Sequence, residues 1–125
     1  MDALDQFHKQ KYLNLETFRK SGEGMKTPVW FVQDGETIYV QTVANSGKVK
    51  RIRNNGQVNI APCKMDGKLV GNWVPAQAGK VTDPEVSAKV NRLLDRKYGL
   101  MKKLFENQRA KKGGIDTILE IKLSE

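Results

Sequence analysis

Hydrophobic spacing changes along the chain from helical to alternating and back. Between Asp2 and Lys11, with Tyr12 just beyond, Leu4, Phe7 and Tyr12 fall near one helical face and polar residues fill the rest, which predicts a short amphipathic helix. At Tyr12 the period drops to two: Leu13, Leu15 and Thr17 alternate with Asn14, Glu16 and Phe18 until Ser21-Gly22-Glu23-Gly24 turns the chain. Met25 to Gln33 is β-branched and aromatic in its middle. It leads through Asp34-Gly35, a hairpin signal, into a strand from Thr37 to Val43. Pro28 has no N–H to give to a ladder, so it belongs at a strand edge or bulge, where backbone groups can face a ligand.

Ala44-Asn45-Ser46-Gly47 breaks the alternation, and Lys48 to Asn55 follows with apolar residues three apart, predicting a short helix capped by Asn45 or Ser46. Gln57 to Met65 reads as a strand, Asp66-Gly67 as a second hairpin turn, and Lys68 to Val81 as a long strand interrupted by Gly71, Pro75 and Gly79. Thr82-Asp83-Pro84-Glu85 opens the longest helix, with Thr82 or Asp83 as N-cap and Pro84 in its first turn. Its apolar stripe runs through Val86, Val90, Leu93, Leu94, Tyr98, Met101, Leu104 and Phe105, with Gly99 placed to split it. After the polar loop at Lys111-Lys112-Gly113-Gly114, Ile115 to Leu123 alternates as a last strand. Six strands with few helices predict a mainly β protein with flanking helices, a small antiparallel barrel or sandwich.

Composition narrows the class. With 125 residues, 38% hydrophobic and 29% charged, the chain is expected to form one globular domain over residues 1–125. No window approaches a membrane span, and the acidic start of the chain lacks an export pattern, so a cytoplasmic protein is expected. Cys63 is the only cysteine, which removes internal disulfides and multi-cysteine metal sites. No metal is expected. The formal charge of +8 favours anionic partners: a nucleotide cofactor, a nucleic acid or an acidic surface. With His8 as the sole histidine, a Ser-His or Cys-His nucleophile is a poor fit, so any enzymatic chemistry points to a bound cofactor. No dinucleotide or triphosphate-type glycine loop is present, and no catalytic side chain is assigned.

Two segments concentrate the remaining chemistry. Thr42 to Arg51 joins a strand to a helix through small residues, so helix-start amides, a hydroxyl and several cations gather as a phosphate site would require. Lys26-Thr27-Pro28-Val29-Trp30-Phe31 precedes it. Together with Thr17 to Gly22 and Arg51-Ile52-Arg53-Asn54-Asn55, these segments resemble the pyridoxamine 5′-phosphate oxidase-like, FMN-binding split barrels, especially their small coenzyme F-420 (deazaflavin)-dependent branch. The resemblance runs from Tyr12 to about Val81. It implies a six-stranded antiparallel split β-barrel, a homodimer with cofactor in a groove at the interface, and hydride transfer to or from a small conjugated substrate.

Carried onto this chain, the resemblance places Lys26, Thr27, Pro28, Val29 and Trp30 along the flavin or deazaflavin ring and Thr42 by the ring or ribityl chain. It gives Ser46 and Lys48 the phosphate. Gly47 stands where FMN-binding relatives often carry a basic residue, leaving Lys50, Arg51 or Lys26 to supply that charge. Trp73 is assigned either to the groove wall or to the dimer contact. The cations at Lys102-Lys103 and Arg109 to Lys112 read as a solubility patch or as a surface for the deazaflavin polyglutamate tail. Strand periodicity puts one of Trp30 and Phe31 in the core, Cys63 reads as a small packed residue, and Glu85, Asp95 and Glu106 read as a solvated helix face. The alternatives are a non-catalytic flavin- or haem-binding protein and a basic nucleic-acid-binding module. The latter is disfavoured because Trp30 and Tyr39 have few cations on their strands, so no nucleic acid is expected.

Overall fold

A computed structural model describes residues 3–104 and 116–124. Seven strands form one antiparallel sheet in the order β2-β1-β5-β6-β7-β4-β3. They are β1 (Tyr12–Phe18), β2 (Gly24–Val29), β3 (Phe31–Asp34), β4 (Thr37–Val43), β5 (Gln57–Cys63), β6 (Val74–Lys80) and β7 (Asp116–Leu123). β2 and β3 follow one another in the chain yet occupy the two edges of the sheet, with Trp30 alone between them. The sheet therefore curls until its edges face each other, and β2 approaches β4 across the split. That closure explains why seven strands replace the six expected: the run Met25 to Gln33 changes edges at Trp30 instead of pairing as one strand.

Alternation sets the core. Leu13, Leu15 and Thr17 of β1 and Ile38, Val40 and Thr42 of β4 all point inward and are buried. They pack with Phe7, Phe31, Val58, Ile60, Leu119 and Ile121. Helix α1 (Gly47–Asn54) adds Val49 and Ile52 to this cluster and packs against β1 and β6. A second cluster lies on the outer side of β3, where Val90, Leu94 and Tyr98 of α2 (Pro84–Tyr98) cover Val32, Val81 and Ile118. Asp83 caps α2 by accepting from Glu85 N–H at 2.9 Å, and Pro84 occupies the first turn, as its sequence predicts. Gly99, at φ 56°, ends α2, and residues 100–104 are helical again.

Two elements differ from expectation. The amino-terminal helix is a 3-10 helix confined to Ala3–Phe7, enough to bury Leu4 and Phe7. The long strand expected from Lys68 is regular only from Val74: the expected Asp66-Gly67 turn forms and Leu69 bridges Cys63, but strand pairing lapses between them and Val74. Lys64 N–H bonds Lys68 C=O at 2.9 Å and Val70 N–H bonds Pro62 C=O at 3.0 Å. Phe105, Glu106 and the Arg109 to Ile115 segment lie outside the described residues, as does Asp2.

Candidate functional site

The curl that brings β2 towards β4 leaves a cavity of about 260 Å³ at the split. Thr27, Pro28, Val29 and Trp30 form one wall, and Gln41 and Thr42 of β4 face them. As the edge strand of the sheet, β2 has only β1 beside it, and Pro28 sits in it where the sequence puts an edge proline. Lys48 enters from the first turn of α1, Tyr12 and Met65 lie at the cavity's margin, and Lys102 reaches it from helical residues 100–104. Among the described residues that line it there is no carboxylate.

Trp30 is the cavity's principal aromatic wall, and its orientation is fixed from behind. Its ring stacks on Tyr98 with centroids 4.3 Å apart and planes 7° from parallel. The Tyr98 hydroxyl accepts from Phe31 N–H at 3.0 Å, and its proton lies within reach of Phe31 C=O at 2.9 Å and Lys11 C=O at 2.7 Å. Burial pushes the Tyr98 phenol well above its ordinary pKa. Next to it, Lys97 Nζ donates to Phe31 C=O at 2.8 Å and lies 3.7 Å from the centroid of the Phe31 ring, and burial pushes its ammonium down to about 8. The end of α2 thus clamps the junction where the chain passes from one sheet edge to the other.

The head of α1 adds an anion-binding geometry. Ser46 occupies the N-cap position, but its side chain makes no capping bond. Its Oγ is buried and has no hydrogen-bond partner among the described residues. First-turn amides of a helix have no intrahelical acceptor, so the Ser46 hydroxyl stands beside such amides, with Lys48 in the same turn lining the cavity. Arg51 reaches back along the same helix: its Nε donates to Thr17 Oγ1 at 2.6 Å, and a Cβ placed on Gly47 would stand 2.7 Å from its Nη1. The guanidinium thus fills the space a side chain at position 47 would need. Beyond it, Arg51 lines a second cavity of about 370 Å³ with Arg19, Lys20 and Asn54.

The expected site residues divide. Thr27, Pro28, Val29, Trp30, Thr42 and Lys48 share the cavity, while Ser46, Gly47 and Arg51 stand at the α1 end. Lys26 alternates to the exposed face of β2, where its Nζ lies 5.5 Å from the Trp73 ring centroid, so neither residue lines the cavity. Lys50 is exposed on α1 and lines no part of it. Cys63 is buried, and burial followed by the Asp66 charge raises its thiol pKa, in keeping with a packed residue. Tyr12, Gln41, Met65 and Lys102 were not expected. For Lys102 a signal existed: Leu94, Tyr98 and Lys102 are spaced by four along the apolar stripe, which marks this lysine for burial. It is 4% exposed, which corrects its reading as part of a solvated patch.

The protein-family model described as pyridoxamine 5′-phosphate oxidase matches residues 1–125. Among solved structures, the haem storage protein HutZ from Vibrio cholerae is similar at 17% identity and TM-score 0.73, covering 97% of this chain and 87% of its own. An F-420 reductase is similar at 16% identity and TM-score 0.62, covering 100% of this chain and 96% of its own. ChuZ from Campylobacter jejuni is similar at 14% identity and TM-score 0.69, covering 97% of this chain and 51% of its own. No curated protein matches the chain. At these identities the structural likenesses establish the fold.

Proposed function

Because the chain belongs to the pyridoxamine 5′-phosphate oxidase family, we propose that it is an oxidoreductase whose split cavity takes the ring of coenzyme F-420 or FMN and whose α1 head takes the phosphate. The observation that carries this reading is the buried, unpartnered Ser46 Oγ beside Lys48, at the place where an aromatic-walled cavity meets a helix start. A phosphate oxygen would satisfy that hydroxyl and the first-turn amides together, and Lys48 in the same turn adds positive charge. Arg51, lying over Gly47, supports the reading that it provides the charge missing from that position.

A bound flavin or deazaflavin supplies two-electron hydride chemistry, and the chain supplies position and exclusion of water. Trp30, held by Tyr98, gives a rigid flat wall, while Thr27, Thr42 and Gln41 offer hydrogen bonds to a polar ring edge or ribityl chain. A cavity of about 260 Å³ is small beside the roughly 300–1,000 Å³ of typical ligand pockets, and Met65 on its margin is 72% exposed. Both features support a homodimer in which a second copy completes the groove and leaves room for a small conjugated substrate.

A haem-carrying function, the second reading, is favoured by the similarity to a haem storage protein. Haem iron needs an axial ligand, and among the described residues lining this cavity Tyr12 and Met65 are the side chains of a type that can serve, with no histidine or cysteine beside them. His8 is exposed and elsewhere. The buried Ser46 hydroxyl at the head of α1 suits a phosphate ester, which favours the redox reading. Titration of the purified protein with FMN, coenzyme F-420 and haemin at equal ionic strength tests it: saturable binding of either redox cofactor is expected, with Lys48→Ala weakening it by roughly tenfold to a hundredfold. Tight haemin binding with neither redox cofactor bound overturns the assignment. FMN binding ten times tighter than coenzyme F-420 refutes the deazaflavin preference and leaves the redox reading intact.

A further inference from the structure

A second cavity, at the end of α1 away from Ser46, has no part in the reading above apart from Arg51. It measures about 370 Å³ and lies between the turn joining β1 to β2 and the last turn of α1. Arg19 and Lys20 reach it from the turn, Arg51 from the helix, and Asn54 and Asn55 from the helix end. Three cations and two amides thus border one space. Among the described residues that line it there is no carboxylate. A concavity walled by one sign of charge draws the opposite sign.

Both walls are held in place. In the turn, Arg19 N–H bonds Glu23 C=O at 2.9 Å, Gly22 N–H bonds Arg19 C=O at 2.8 Å, and Gly22 takes φ 92°, which a glycine adopts without strain. On the helix, Arg51 Nε donates to the buried Thr17 Oγ1 at 2.6 Å, a partner that carries no charge. Neither Arg51 nor Lys20 has a carboxylate within ion-pair distance among the described residues. Arg19 meets only Glu23, at 3.5 Å between side chains 55% and 63% exposed, a pair that contributes little. Asn55 Oδ1 accepts from Gln57 N–H at 3.1 Å, so its Nδ2 is left to donate. The partial negative charge at the end of α1 is offset by Arg51 and Arg53 in its last turn.

We propose that this cavity is a second anion site, taking a compact group of phosphate or carboxylate oxygens that Arg19, Lys20 and Arg51 neutralise and the asparagine amides orient. It does not rest on the cofactor reading. Two sources share that chemistry. One is a free small polyanion. The other is an acidic extension of a ligand seated at the head of α1, because Arg51, whose Nη1 lies against Gly47, also lines this cavity.

Inorganic pyrophosphate, titrated calorimetrically into the full-length protein at fixed ionic strength, tests the site. Because Arg51 also stands at the head of α1, the deciding variant is Arg19→Gln with Lys20→Gln, which should weaken binding about tenfold. Arg92→Gln with Arg96→Gln removes the same charge from the exposed side of α2 and should leave binding unchanged. The same binding event should persist in Lys48→Gln. Arg19→Lys with Lys20→Arg keeps both charges and should bind as the parent does, which separates lost charge from a distorted turn. Loss confined to Lys48→Gln places the anion at the head of α1 and overturns the proposal. Equal losses in the two charge-removing pairs, which would report net charge alone, also overturn it, as does an absence of binding by the parent.

A second arm separates the sources. Coenzyme F-420 with its glutamate tail is compared with the same coenzyme stripped of glutamates. Selective weakening of the tail-bearing form by Arg19→Gln with Lys20→Gln assigns the site to the extension. Unchanged affinity for both forms, with pyrophosphate binding lost, assigns it to a free polyanion. Pyrophosphate binding here by a protein that takes neither FMN nor coenzyme F-420 keeps this site and removes the cofactor reading; cofactor binding without it removes this site alone.

Discussion

Tyr98→Phe isolates the hydroxyl that ties α2 to the junction between the sheet edges. The ring, its stack on Trp30 and its burial are retained, so packing changes little. Lost are the acceptor for Phe31 N–H, at 3.0 Å, and one donated bond to Phe31 C=O or Lys11 C=O. A buried N–H left without a partner costs about 1–3 kcal/mol and the donated bond contributes about 0.5–1.5 kcal/mol, giving an expected loss of about 2–4 kcal/mol. With a urea m-value of about 1–3 kcal/mol/M, the unfolding midpoint should fall by about 1–2 M at constant m. Urea titration followed by tryptophan fluorescence and by circular dichroism measures it. A midpoint shift under about 0.2 M would show that water or a neighbouring group replaces the hydroxyl, refuting the clamp.

Further perturbations separate neighbouring contributions. Lys97 has a folded-state pKa lowered to about 8 by burial, so the unfolded chain binds more protons between about pH 8 and its ordinary value near 10.5. Stability should therefore rise with pH through that window, by about 1 kcal/mol after allowance for solvent screening, and Lys97→Met should flatten the rise in urea titrations from pH 7 to 10. Gly99→Ala forces a side chain into positive φ and should cost about 1 kcal/mol in thermal or urea unfolding. Asp83→Ala removes the α2 cap and should cost about 1 kcal/mol in the same unfolding assay without altering cofactor affinity.

Local chemistry was legible wherever a few adjacent residues decide it. Asp34-Gly35 makes its turn with Gly35 at φ 61°, and Asp83-Pro84 starts α2, because the turn and cap signals are carried by those residues themselves. The break at Trp30 was not legible. Pro28 marks an edge position in Thr27 to Val32, but nothing there marks Trp30 as the break, and the chain changes edges at Trp30 because the whole sheet closes. The Asp66-Gly67 turn forms as its residues predict, with Leu69 bridging Cys63, but the lapse in pairing from there to Val74 was not legible, since it depends on Gly71 packing closely on Pro62. At the site, the small-residue start and the cations of α1 stand out by local spacing and charge, whereas Thr27 to Trp30 and Thr42 were indicated by the family resemblance. Lys102 was missed because a lysine is ordinarily taken as solvated, even one placed four residues after Tyr98 on a buried stripe.

The single-residue link at Trp30 also bears on how this protein avoids sticking to itself. An open sheet has two edges, each a row of backbone groups able to recruit a strand from another molecule. Here the edge strands β2 and β3 are joined covalently through Trp30, and a short polypeptide tether keeps one edge folded towards the other. Lengthening that tether, for instance by inserting glycines after Trp30, would let the edges drift apart and expose both to intermolecular pairing. The single-residue link beside the cavity thus also limits how far either edge can be presented to another molecule.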